Sequence, residues 1–132
     1  MASEAASPRP DLEAFDRATR LPFRFVVKEL TDLIGAKLVA YIATVTETRA
    51  VHEWAAEDRG PKDPSVPERL RLALRLAKFI AQHDNAEVAQ AWFQGLNPQL
   101  GDRSPARLLR EGDVAEVGPE VVAAARAFVV GG

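Results

Sequence analysis

Residues 67–82 read PERLRLALRLAKFIAQ, and this stretch decides the fold. Wound at 3.6 residues per turn, Leu70, Leu72, Leu74, Leu76, Ala77, Phe79, Ile80 and Ala81 cover more than half of the circumference. Arg71, Arg75 and Lys78 share the narrow arc that remains. So broad an apolar surface predicts a central, mostly buried helix with other helices packed around it. The segment PKDPSVP before it holds three prolines in seven residues and is expected to be a connector, dividing the chain near residue 64.

Outward from this helix the same periodicity recurs. Upstream, Val26, Val27, Leu30, Leu33 and Ile34 fall at three- and four-residue spacing until Gly35 offers a stop. Two short stretches follow, AKLVAYIATV and TRAVHEWAAEDR, the second ended by Gly60 and Pro61. Downstream, HDNAEVAQAWFQGL has cap-like Asp84 and Asn85 and an end at Gly95; NPQLGDRSP is a loop; ARLLRE is a short helix closed by Gly112. Gly118, Pro119 and Glu120 are expected to open a final helix. Strand-like alternation is nowhere sustained, so the fold class is all-α. The expected division is a flexible tail over residues 1–20 with no function assigned, a helix-turn-helix-like unit over 21–66, and a C-terminal unit over 67–132.

Composition narrows the functions available. A chain of 132 residues with 47% hydrophobic and 27% charged residues is an ordinary globular one. Its net charge of −2, from 17 Lys and Arg against 19 Asp and Glu, supplies no general basic field for nucleic acid, so DNA binding requires a local patch. With no cysteine there are no disulfides, thiolate metal sites or cysteine nucleophiles, and only two histidines are present. Each histidine is followed by an acid, His52 by Glu53 and His83 by Asp84, yet helix neighbours point about 100° apart and form no acid/base dyad. No enzyme, metal or cofactor is expected. The longest apolar run, Leu38 to Ala43, is far short of the roughly 20 residues of a membrane span. With no apolar signal core at the N-terminus, the expected location is cytoplasmic.

AKLVAYIATV and TRAVHEWAAEDR read together as a helix-turn-helix, which needs a small residue where the helices cross, a tight turn and apolar anchors on the second helix. Ala40 is the small residue, Val45 and Thr46 the turn, and Val51 and Trp54 the anchors. Thr44 stands where glycine is usual, and the anchors come one residue late, so a plain three-helix packing unit is the alternative. In a major groove, Thr46, Thr48, Arg49 and His52 would be placed to reach bases or phosphates. Glu47, Glu53, Glu57 and Asp58 oppose that, predicting weak binding or the need for a dimer or partner. The Arg71, Arg75, Lys78 stripe is either a phosphate-contacting face or simply a solvated one.

The densest motif is the segment EVAQAWFQGLNPQLGDRSPARLLREGDVAEVGPEVV. Trp92 and Phe93 end a helix; Asn97, Pro98, Leu100 and Gly101 form a turn; Ser104 and Pro105 start a double-leucine helix with Leu108 and Leu109, closed by Gly112. Physically this is a compact apolar knot around a sharp reversal. Order and spacing over these residues resemble the toxin-binding domain of the Xre/MbcA/ParS-type antitoxins, with Asp102 where many relatives carry a second glycine. The upstream half is similar to the Xre-type helix-turn-helix of the same family. The resemblance implies a partner, a RES-domain toxin that consumes NAD and is neutralised when the antitoxin's C-terminal region occludes its active-site entrance. It also implies repression of the shared operon and a homo-oligomer, for which the apolar excess of the first and central helices also argues. The expected toxin contacts are the solvent-facing Arg103, Arg107, Arg110 and Glu111, with Phe128, Val129 and Val130 either packing home or inserting into a partner. A regulator or adaptor without a toxin is the rival reading.

Overall fold

The computed structural model describes residues 21–57 and 59–131; the expected tail, Asp58 and Gly132 lie outside them. Among the described residues there are seven α-helices, one 3-10 turn and no strand. In chain order they are α1 (Phe23–Ile34), α2 (Ala36–Ala43), α3 (Thr48–Ala56), α4 (Ser65–His83), α5 (Ala86–Gln94), the 3-10 turn Pro98–Leu100, α6 (Pro105–Glu111) and α7 (Val114–Gly131). No helix among them is long and apolar enough to cross a membrane.

The all-helical expectation holds, and α4 is its axis. Leu70, Ala73, Leu74, Leu76, Ala77, Phe79 and Ile80 are buried, and α1, α2, α5, α6 and α7 all pack on this helix. One hydrophobic cluster runs from Val26 of α1 to Ala125 of α7 without interruption. Burying side chains from every helix in one cluster gives the chain its main driving force for folding. The apolar excess of α1 and α4 is thereby satisfied within the chain, so that excess no longer argues for self-association.

Helix ends follow local chemistry. Gly35 stops α1 at φ 90°, a backbone conformation costly for any residue with a Cβ. The connector before α4 is shorter than its prolines suggest. Asp63 accepts from the Ser65 amide at 2.9 Å and starts the helix at Ser65, and Pro67 fits the first turn, where its missing N–H would have no partner anyway. That hydrogen bond holds the Asp63 carboxyl below the ordinary carboxylate range. The last helix also begins before the expected glycine and proline. Asp113 accepts from the Ala115 amide at 2.9 Å through its side chain, while its carbonyl takes the amides of Glu116 and Val117, so α7 starts at Val114 with Pro119 inside it.

Between α2 and α3 the chain turns on Thr44, which sits at φ 64° and ψ 30°. A β-branched residue in the left-handed region is strained, since its branched Cβ crowds the backbone there. Thr44→Gly is therefore expected to stabilise the protein by about 1 kcal/mol. Urea unfolding would show this as a higher midpoint at unchanged slope.

Candidate functional site

The knot predicted around residues 92–112 is assembled from three short elements. Asn85 caps α5 by accepting from the Val88 amide, and the helix delivers Trp92 and Phe93 to the core edge-on, ring centroids 5.1 Å apart. Asn97 then closes the reversal. Its side chain accepts from the Gln99 amide at 2.9 Å, its carbonyl from the Asp102 amide at 2.9 Å, and its own amide donates to the Arg103 carbonyl. Gly101 and Asp102 are both left-handed, at φ 67° and φ 61°. Asp102 thus occupies a conformation that glycine adopts without strain, and the polar turn around it tolerates an aspartate. Ser104 caps α6 through the Arg107 amide, Pro105 fills the first turn, and Leu100, Leu108 and Leu109 are buried. Gly112 is needed for space. A Cβ there would stand 2.5 Å from Val117 Cγ1 and 2.9 Å from the Leu108 carbonyl.

The residues expected to contact a toxin do not form one set. Arg107 and Glu111 are exposed and pair across one turn of α6, Nε lying 3.2 Å from both carboxylate oxygens. Arg103 turns back on its own loop, donating to the Leu100 carbonyl. Arg110 leaves the C-terminal face altogether. It donates to the Tyr41 carbonyl at 2.6 Å and lies 4.6 Å over the Tyr41 ring, bridging α6 to α2. At the chain's end, Val129 packs against the core, whereas Phe128 is 38% and Val130 88% exposed.

Phe128 borders a groove of about 530 Å³ between α5, the loop after it and α7, together with Trp92, Pro98 and Leu96. Leu96, 76% exposed, belongs to this surface although motif reasoning left it out. Its signal was present, as an apolar side chain set between Gly95 and Asn97 in an otherwise polar turn.

The four residues expected at DNA divide as well. Thr46, Thr48 and Arg49 line a groove of about 570 Å³ with Lys37, Tyr41 and Arg110; His52 is exposed but outside it. Lys37 and Arg110 were not foreseen there, because only the fold brings α6 against α2. Arg49 reaches Glu53 one turn on, 3.7 Å away. The basic stripe on α4 is engaged rather than simply solvated, since Arg71 donates to the Leu21 carbonyl and Lys78 pairs with Glu29 of α1. His83 ends α4 with Nδ1 2.9 Å from the Phe79 carbonyl. Among the described residues no three His, Cys, Asp or Glu side chains gather as metal ligands would. No family model, curated protein or solved structure matches the chain.

Proposed function

We propose that this protein is an antitoxin of the Xre/MbcA/ParS type, which binds a cognate toxin through its C-terminal unit and blocks it; a RES-domain, NAD-consuming toxin is the partner the motif implies. The observation that carries the reading is the pair of exposed apolar side chains, Leu96 and Phe128, that border one groove of the C-terminal half, with Val130 exposed further along the same helix. Large apolar groups held in water beside an open groove mark a surface meant to be covered. Co-expression with the product of the neighbouring reading frame tests it, with growth and cellular NAD as readouts. Restored growth and NAD supports the reading. Toxicity that a stoichiometric excess of this chain leaves unchanged overturns it. Val130 is exposed enough that Val130→Asp should leave thermal stability unchanged while weakening toxin binding at least about tenfold, measured by titration calorimetry.

In this reading α2 and α3 serve as a helix-turn-helix, with a second role at the operon's promoter. The grouping of Lys37, Arg49 and Arg110 on one groove favours it, and Glu47, Glu53 and Glu57 limit its strength. A mobility shift with promoter DNA, run with and without toxin and across a salt series, tests this part by itself. No shift in either condition would leave the adaptor reading, in which only protein contacts remain.

A further inference from the structure

The groove that Leu96 and Phe128 border differs from its neighbours in charge. Among the described residues that line it, from Val88 and Trp92 of α5 to Ala127 of α7, none is ionisable. The groove between α4 and α7, of about 560 Å³, carries Arg71, Arg75 and Arg126 against Glu68. The one between α2 and α3 carries Lys37, Arg49 and Arg110 against Glu47. A two-fold contact sets a surface against itself, so either of these would bring like charges together. The uncharged groove can meet its own copy without that cost and without stripping water from an ion.

Its relief suits such a meeting as well. Leu96 stands in solvent beside a hollow lined by Ala91, Gly95 and Ala124, whose small side chains leave room for a leucine. Two other exposed aromatic side chains are partly shielded, since the Arg24 guanidinium lies 4.8 Å over the Phe25 ring and that of Arg110 4.6 Å over Tyr41. Leu96 and Phe128 instead share one open, uncharged surface, which gains most from being covered. This argument draws nothing from the apolar excess of α1 and α4, which the fold already buries.

We propose that two copies of the free chain meet through this groove about a two-fold axis, Leu96 of each seated in the hollow of the other. The contact needs no toxin and is independent of the antitoxin reading. Where that reading holds, the second copy masks the face that a toxin would cover, and the two occupants exclude one another.

Sedimentation equilibrium of the full-length chain tests the contact directly. A reversible monomer–dimer equilibrium is expected, with a dissociation constant between about 1 and 100 μM, as for a small interface. Leu96→Asp should weaken it at least about tenfold while keeping the urea midpoint, because residue 96 is largely exposed. Gln99→Glu, at a second exposed position on the groove, should do the same, and Phe25→Ser on α1 should not. The absence of cysteine adds a second readout. Copies carrying Ala91→Cys, exposed on the groove, should link through a short bis-maleimide at least about tenfold faster than copies carrying His52→Cys, exposed outside it. A chain that stays monomeric at about 500 μM, association indifferent to both groove substitutions, or equal linking at positions 91 and 52 would overturn the proposal. Adding the product of the neighbouring reading frame should slow the Ala91→Cys link. Binding of that product without slowing would overturn the exclusion, whereas a product that does not bind at all counts against the antitoxin reading and leaves the self-contact standing.

Discussion

Phe93→Ala is expected to cost about 3 to 5 kcal/mol of stability, the range for emptying a fully buried aromatic site. Phe93 has no exposed surface, sits in α5 and meets Trp92 edge-on, and α5 itself packs on α1, α4 and α6. Removing the ring opens a cavity where three helices meet, and relaxation of one helix cannot fill it. A domain of this kind has only about 5 to 15 kcal/mol in all. The variant should therefore unfold at a much lower urea concentration with little change in slope. A loss below about 1 kcal/mol would mean that α5 is not fixed against the core. The same experiment guards the functional tests, because a variant that fails to neutralise a toxin while keeping its urea midpoint has lost contacts and not its fold.

The parts of the fold legible in the sequence were those set by short-range physics. The broad apolar arc of residues 67–82 identified α4, Gly35 ended α1, and Asn85 and Ser104 announced α5 and α6 through hydrogen bonds to amides three residues on. Two boundaries were misjudged because proline and glycine outweigh a quieter signal. Asp63 and Asp113 each accept amides just beyond them, and each starts a helix earlier than the nearby proline would suggest. The functional surfaces were less legible, because they depend on which helices meet. Arg110 reads as an outward residue of a short helix, yet the fold lays it over Tyr41, 69 positions away in sequence. Leu96 gains meaning only when Phe128 of α7 is found beside the same groove. Spacing along one helix reveals a face; it does not reveal what that face will meet.

Arg69→Met should cost about 3 kcal/mol, and the loss should fall on the junction between α4 and α6. Arg69 sends Nη1 from the first turns of α4 to the carbonyls of Leu109 and Arg110, the former at 2.7 Å. These are last-turn carbonyls of α6, where backbone acceptors lack helical partners and a cation is favoured by the helix dipole. Charged hydrogen bonds of this type contribute about 1.5 to 3 kcal/mol each, and methionine keeps the aliphatic bulk while leaving both acceptors unpaired. Arg110 extends the same connection, since it follows Leu109 and grips Tyr41 of α2. A double-mutant cycle of Arg69→Met with Arg110→Met should accordingly give a coupling energy of about 1 kcal/mol, because each arginine holds the strand of contacts on which the other depends. Additive losses would instead mean that α6 is anchored to α4 and to α2 independently. Coupling would mean that a displacement of α6 is felt at the groove lined by Lys37, Thr48 and Arg49, which Arg110 itself borders.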